Sequence, residues 1–317
     1  MRRAALVYNP RSGSSRGNRI GDVKAVQSVL EAAGVEALLI TTCSALDATE
    51  QTRRAISEGF DTIFACGGDG TINDVLQGIV GSRTALGVIP LGTANALARD
   101  LGIPFSPKSA AHCALNAEAR RIAVGQVLYR DFSGSPALRY FCVTAGVGMD
   151  AHLFYKLNML SKGRLGIWAY YVKALHLWVT QPMKFFDVDF LTLEGQTRRE
   201  SVSELLAVRI TNFGGLLRKL APGASLARND MRLVLFKTSR RWSYMRYILR
   251  GMFGANWKVR GIELESVEKV TCKISGTEQK IHVEADGELL GTLPAEISIV
   301  PDALTILAPK GNHSSLC

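Results

Sequence analysis

The stretch Thr62-Ile63-Phe64-Ala65-Cys66 runs straight into Gly67-Gly68-Asp69-Gly70-Thr71, and a helical pattern from Asn73 to Val80 follows. An apolar strand that ends in glycines and feeds a helix limits the fold more than any other segment. Glycine permits the tight turn and lets backbone N–H groups come close to a ligand. Those amides and the helix N-terminus can cradle phosphate oxygens. Asp69 adds a carboxylate that would repel a free phosphate, which makes sense if a magnesium ion lies between them. The plain alternative is an ordinary tight turn.

The flanking segments repeat the unit. Residues 4–8, 35–41 and 85–89 read as buried strands. Helical spacing runs over 22–33, with Val23, Val26, Val29 and Leu30 on one side and Gly34 as the stop. Asp47 is placed to cap the next helix, with Glu50 at the capping-box distance and Ile56 and Phe60 on its apolar side. Another helix starts within 93–101. Repeated β-loop-α units predict a mostly parallel sheet covered by helices, with ligands beyond the carboxyl ends of its strands. After about residue 120 the character changes. Strand-like stretches at 122–131, 139–145, 185–193, 202–211, 231–238, 258–265, 267–275, 279–285 and 297–300 have period two or β-branched content. A helix is expected at 161–180, from Leu165, Trp168, Val172, Leu175 and Val179. The expected organisation is an α/β nucleotide-binding domain over 1–125, with a strand at 304–308 within 304–312 as a candidate to complete it, and a mainly antiparallel β-sandwich over 126–303.

Two more loops face the same way. Pro90-Leu91-Gly92-Thr93-Ala94-Asn95 joins a strand to a helix; Thr93 either donates its hydroxyl to a ligand or caps the helix, and Asn95 can bridge loop and ligand. Asn9-Pro10-Arg11-Ser12-Gly13 follows the first strand and is either a surface turn or a third phosphate loop. There is no Gly-x-x-x-x-Gly-Lys-Ser/Thr signature and no Gly-x-Gly-x-x-Gly in the first βα turn, so a standard P-loop and a nicotinamide dehydrogenase lose their usual support. Far downstream, Val283-Glu284-Ala285-Asp286-Gly287-Glu288 presents carboxylates around a turn. Asp-Gly is a common hairpin turn, yet one carboxylate could serve as general base to an alcohol.

Lys and Arg number 38 against 28 Asp and Glu, a formal charge of +10, which favours an anionic partner. No helix-turn-helix, zinc finger or aromatic RNA-binding motif accompanies it, so nucleic acid is not expected. The six cysteines form no CxxC pair and the five histidines are scattered, which argues against a structural zinc and for reduced thiols. No Gly-x-Ser-x-Gly elbow appears, so a serine hydrolase is disfavoured. The apolar run at 4–8 is too short for a signal-peptide core, and no run approaches the ~18 residues of a spanning helix. A cytoplasmic chain, soluble or peripheral to the membrane, is the expectation.

Asn9-Pro10 with Gly13, Gly67-Gly68-Asp69-Gly70-Thr71, Gly92-Thr93-Ala94-Asn95, Gly146-Val147-Gly148-Met149-Asp150 and Asp286-Gly287-Glu288 together resemble the diacylglycerol kinase catalytic-domain family, the bacterial soluble lipid kinases related to sphingosine and ceramide kinases. The glycine-aspartate motif is shared with NAD kinases and 6-phosphofructokinases; the later pieces favour the lipid-kinase branch. The resemblance implies an α/β nucleotide domain, a C-terminal β-sandwich and a cleft between them. It implies that segments 9–13 and 67–71 hold ATP phosphates, that Asp69 helps place a catalytic magnesium, and that Thr93 lies on the nucleotide side. Thr42 resembles a family threonine near the end of the second strand, five residues before an acidic position filled here by Asp47. Glu288 resembles the proton acceptor for the lipid hydroxyl, and Asp286 supports that turn.

The family often carries a structural magnesium around an Asp-Gly turn, which corresponds here to Asp230 with backbone carbonyls at Ala227 and Arg232. Met231 replaces the usual glycine and Arg232 stands where an apolar residue is common, which counts against a turn needing positive φ. The reaction implied is transfer of the γ-phosphoryl group of ATP to a lipid alcohol, diacylglycerol first, at a membrane surface; the family often forms homodimers. Sphingoid, ceramide and polyprenol acceptors, a soluble alcohol as in NAD kinases, and a non-catalytic nucleotide- or membrane-binding protein are the alternatives. Residues 240–258 combine five basic side chains with aromatic and apolar ones, and fit either an anionic membrane interface or an amphipathic helix packed on the sandwich. Lys162, Arg164, Trp168, Tyr170, Tyr171 and Trp178 carry the same ambiguity.

Overall fold

The computed structural model describes residues 1–10, 19–148, 183–213, 220–254, 257–274 and 280–310. The chain begins with alternation: β1 (Arg3–Tyr8), α1 (Arg19–Ala32), β2 (Glu36–Thr41), α2 (Ala45–Ser57), β3 (Thr62–Gly67), α3 (Asp69–Ile79) and β4 (Ala85–Pro90). Two short helices follow, α4 (Ala96–Asp100) and α5 (Pro107–Leu115). The sheet order is β2-β1-β3-β4, all parallel. β3 and β4 are buried at every position, as expected of strands covered on both faces.

The local chemistry explains most boundaries. At Gly34 (φ 80°) the amide donates to Glu31 O, and the Val35 amide reaches back to Leu30 O, which closes α1. The cap of α2 lies three residues earlier than the sequence pattern suggested. Ser44 is the N-cap, its Oγ accepts from Asp47 N at 3.2 Å, and the Asp47 carboxylate reaches back to Cys43 N at 2.8 Å. The Cys43 N–H holds the Asp47 carboxyl below its usual pKa. The box is therefore Ser44 with Asp47, not Asp47 with Glu50. α3 begins at Asp69, inside the glycine motif, four residues before the apolar periodicity becomes visible. The reading of the sequence had no helix at 107–115; Pro107 opens α5 and Ala110 and Ala111 bury it.

The second half is built from β5 (Glu118–Arg130), β6 (Pro136–Phe141), β7 (Thr144–Gly148), β8 (Phe186–Thr192), β9 (Thr197–Val202), β10 (Glu204–Val208), β11 (Met231–Phe236), α6 (Arg241–Phe253), β12 (Ile262–Lys273), β13 (His282–Ala285) and β14 (Glu288–Ala308). Several expected strands change shape. The stretch 139–145 breaks into β6 and β7 at Cys142–Val143, 202–211 is divided by Ser203, and 258–265 with 267–275 forms the single strand β12. The helix expected at 161–180 lies outside the described residues.

Pairing passes from β14 through β13, β7, β10, β11 and β12, and β12 pairs β14 again, so six strands ring a second core that includes Phe186, Val188, Leu205 and Leu235. β14 also reaches the first sheet: Thr305 and Ile306 run parallel to Ala85 and Leu86 of β4. One strand thus borders both cores. Cys43, Cys66, Cys113, Cys142 and Cys272 are free thiols.

Candidate active site

The glycine loops of β3–α3 and β4–α4 lie back to back. A Cβ at Gly92 would stand 2.4 Å from Gly68 Cα and 2.7 Å from Asn95 Oδ1, so only glycine allows this approach. Asn95 is buried and left-handed (φ 49°), and its amide clasps its own loop: Nδ2 donates to Gly92 O at 2.8 Å and Oδ1 accepts from Gly92 N at 3.0 Å. It holds the loop rather than pointing at a ligand. Thr93 beside it is exposed. Asp69 Oδ1 accepts from Ala96 N at 2.8 Å and so ties the first loop to the second; Oδ2 has no partner among the described residues. Gly70 is exposed and Thr71 buried, with its hydroxyl packed where a Gly67 side chain would be.

The other nucleotide-loop candidates are placed unequally. Thr42 is buried and its hydroxyl donates to Tyr8 O at 3.3 Å, so it secures the ends of β2 and β1. Asn9 and Pro10 follow β1 directly, with Pro10 exposed. Arg11, Ser12 and Gly13 lie outside the described residues, as do Met149 and Asp150.

The downstream carboxylates meet this region across α3. Asp286 (φ 48°) and Gly287 (φ 80°) are the two central residues of a hairpin in which Ala285 faces Glu288. The Asp-Gly pair is thus the hairpin turn that the sequence offered as the plain reading. Asp286 accepts from the backbone N–H groups of Cys142 (2.9 Å), Val143 (2.9 Å) and Thr144 (3.0 Å), and from Asn73 Nδ2 at 3.2 Å. Burial raises its pKa, and those donors pull against that rise. Its carboxylate holds the β6–β7 break and α3 together. Glu288 opens β14, and a Cβ on Gly70 would lie 3.9 Å from Glu288 Oε1. Burial also raises the Glu288 pKa, while Arg139 pulls it down.

Four contributors escaped the reading of the sequence. Arg139 Nη2 donates to Glu288 Oε2 at 2.5 Å and lies 3.4 Å from Asp74 Oδ1, forming a carboxylate–guanidinium–carboxylate trio. Asn73, Asp74 and Gln77 share one side of α3, and Gln77 brackets the Tyr140 backbone with bonds of 2.9 and 3.0 Å. Three polar residues at i, i+1 and i+4, opposite Ile72, Val75, Leu76 and Ile79, were the available signal. Arg139 had none, because its partner is 149 residues away.

Between the glycine loop and the Asp286 hairpin lies a cavity of about 380 Å³. Asp69, Asp286 and Glu284 stand on its wall with Ile72, Leu206 and Phe213. An apolar chamber with carboxylates beside a phosphate-type loop suits an amphiphilic alcohol better than a small polar one.

The second metal candidate does not fit a cation. The Asp230 carboxylate is gripped by Arg228, whose Nε lies 2.8 and 3.0 Å from its two oxygens. The fully buried Arg209 guanidinium donates to the carbonyls of Ala123 (2.8 Å), Leu226 (3.4 Å), Arg228 (2.7 Å) and Asp230. Carbonyls of Leu226, Arg228 and Asp230 in this turn therefore already face a fixed cation, although the Ala227 and Arg232 carbonyls are not among them. Neither Asp230 nor Met231 has a positive φ, so Met231 is not strained there. Ala227 donates its N–H to Ser225 Oγ, and Arg232 donates to Ser266 Oγ. Among the described residues no cluster of three His, Cys, Asp or Glu forms a metal site.

Comparison with known proteins agrees with this layout. The model of the diacylglycerol kinase catalytic domain matches residues 3–127, and that of the YegS C-terminal NAD kinase beta sandwich-like domain matches 142–308. The chain is 32% identical to the diacylglycerol kinase of Bacillus subtilis, over 100% of this chain and 99% of that one. It is 30% identical to the diacylglycerol kinase of Mycobacterium tuberculosis, over 97% and 96%. A diacylglycerol kinase structure from Bacillus anthracis superposes with a TM-score of 0.71 at 19% identity, covering 98% and 97%. Yeast NADH kinase follows at 0.55 and 12%, covering 99% and 85%; both likenesses concern the fold. With two family models in tandem and full-length relatives, the chain belongs to the diacylglycerol kinase family and is a lipid kinase.

Proposed function

We propose that this protein transfers the γ-phosphoryl group of ATP to the hydroxyl of a lipid alcohol, with diacylglycerol as the first acceptor to test and phosphatidic acid as its product. The observation that carries the reading is the 380 Å³ apolar cavity set between the glycine loop and the carboxylate hairpin. In this reading segment 9–13, the backbone of 67–71 and the start of α3 bind the nucleotide phosphates. Thr93 lies beside the nucleotide; Thr42 and Asn95 act by holding the loops. Glu288 takes the proton of the acceptor hydroxyl. The acceptor oxygen bonds to the γ-phosphorus as the bond from that phosphorus to the bridging oxygen breaks, and ADP leaves. Arg139 positions Glu288, and Asp286 fixes the hairpin that carries it.

A magnesium ion fits at Asp69, whose Oδ2 is not engaged by the described residues, because this ion takes one or two carboxylates and completes its shell from phosphates and water. When bound it would offset phosphate charge. A lipid acceptor also requires peripheral contact with a membrane. Among the described residues no helix is long and apolar enough to cross one.

The test is phosphoryl transfer from radiolabelled ATP to a lipid panel in mixed micelles, with and without magnesium. A labelled lipid that requires magnesium supports the reading; label on a soluble alcohol alone sinks it. Glu288→Gln should lower turnover by about 10²–10⁴-fold with ATP binding retained. Wild-type turnover in that variant would remove Glu288 as the base.

A further inference from the structure

α6 buries Tyr244, Tyr247 and Gly251 against the second sheet, and Tyr244 stacks on Phe236 at 4.4 Å. Its outer face is unlike that of an ordinary surface helix. Trp242, Arg246, Leu249 and Phe253 fall at i, i+4, i+7 and i+11, on one stripe. Trp242 is 76% exposed and Phe253 75%. Side chains of this size gain most when such a face leaves water. From Arg240 to Arg260 the chain carries six basic side chains and no acid.

At the C-terminal end of the helix lies a second cavity, of about 800 Å³, with Arg250 of α6 and Arg232, Trp257, Lys258 and Arg260 on its wall. Glu263 and Glu265 also line it, but both carboxylates are satisfied from elsewhere. Lys237 Nζ lies 2.8 Å from Glu263, and Arg198 lies 3.1 Å from Glu263 and 2.6 Å from Glu265. Lys258 and Arg260 form no ion pair with the described residues. The Arg232 Nε is buried without a hydrogen-bond partner among the described residues. The net character is that of an anion receptor.

We propose that α6 and the loop behind it dock this protein on an anionic bilayer. Trp242, Leu249 and Phe253 enter the boundary between headgroups and acyl chains, and the basic cavity takes a phosphate headgroup. The charge selects the partner: a stripe with no acid and an adjoining cationic cavity match a surface that is both apolar and negative. Docking there also has a geometric result. Tyr247 Oη on α6 donates to Leu220 O at 2.5 Å, and Leu220 lines the 380 Å³ cavity. The helix that carries the docked stripe therefore touches, through its buried side, a residue on the wall of the chamber proposed for the lipid acceptor, and only this last point rests on the lipid-kinase reading of that chamber.

The experiment is co-sedimentation of the full chain with phosphatidylcholine vesicles, with and without phosphatidylglycerol, in the absence of nucleotide. Wild type should prefer the phosphatidylglycerol vesicles, and added salt should weaken the binding. Lys258→Gln with Arg260→Gln should reduce affinity by about 10–30-fold, at ~1 kcal/mol per charge near an anionic surface. Trp242→Ala with Phe253→Ala should reduce it at least about tenfold. Both pairs are surface changes, and the two act through different forces. Wild type indifferent to phosphatidylglycerol, or either pair binding as wild type does, overturns the proposal. The readout needs no turnover, so a failed kinase assay and a failed docking surface remain distinguishable.

Discussion

Asp230 and Asp286 are the same side chain at comparable places, each at a turn that feeds a strand of one continuous sheet, and their surroundings treat them in opposite ways. Asp286 accepts from three backbone N–H groups and one amide, all neutral. Asp230 is gripped by the Arg228 guanidinium, and the buried Arg209 lies on its carbonyl. Neutral donors fix a carboxylate without cancelling its charge. A guanidinium fixes it and cancels it. The Asp286 region, with Asp69 and Glu284 on the same cavity wall, has no guanidinium on the Asp286 carboxylate. The Asp230 region carries its own cation. The counter-charge, more than the carboxylate, decides where a metal can go.

That contrast can be broken most severely at Arg209. Arg209→Leu removes the donor to four buried carbonyls, and stability should fall by about 3–5 kcal/mol in urea unfolding. In parallel, chelation should leave the melting temperature of the wild type unchanged, whereas a fall would mean that a metal shares the Asp230 turn. At the other turn, Asp286→Ala orphans the amides of 142–144 and Asn73; a loss of about 2–4 kcal/mol is expected. Turnover should fall further than ATP affinity, since the hairpin positions Glu288. Equal losses of both would show that Asp286 serves only the fold.

The smallest effect, of opposite sign, belongs to Asp100, which sharpens the comparison. Asp100 also accepts from backbone, the N–H groups of Thr211 and Asn212 at 2.9 Å, but its Oδ2 is buried with no partner among the described residues. Burial pushes its pKa up to about 6. A raised carboxyl pKa means that the folded state binds the extra proton between the ordinary value of 3.8 and about 6. Its contribution to stability is therefore full below the lower value and lost as the pH rises through the upper one. Asp100→Asn should raise stability by about 1–3 kcal/mol near pH 7, with the gain vanishing toward pH 4. A gain that does not change with pH would show that packing, not charge, is responsible.

The sheet with parallel strands was readable because β3 and β4 are buried on both faces and their apolar runs are unbroken. The glycine loops were readable because their chemistry is local, and the resemblance extended to both halves of the chain. Elsewhere the deciding contacts are far apart in the chain. The break at Cys142–Val143 exists to aim amides at Asp286, 144 and 143 residues on, so a local reading joined β6 to β7. Glu288 was recognisable from its motif, but Arg139 was invisible without the fold. Arg209 looked like one polar residue in a strand, and nothing nearby announced that four carbonyls would converge on it. Asn95 and Thr42 were found for the wrong geometric reason: both lie by the loops, but their side chains are spent on backbone.

β14 gives the molecule an order of assembly. Ala85 and Leu86 of β4 gain their outer neighbour from Thr305 and Ile306, made more than two hundred residues later. As the chain leaves the ribosome, the first sheet can form four strands early but must keep an edge uncovered until nearly all of the second half has been synthesised. Its completion and the closing of the ring of strands are then one event, carried by one segment.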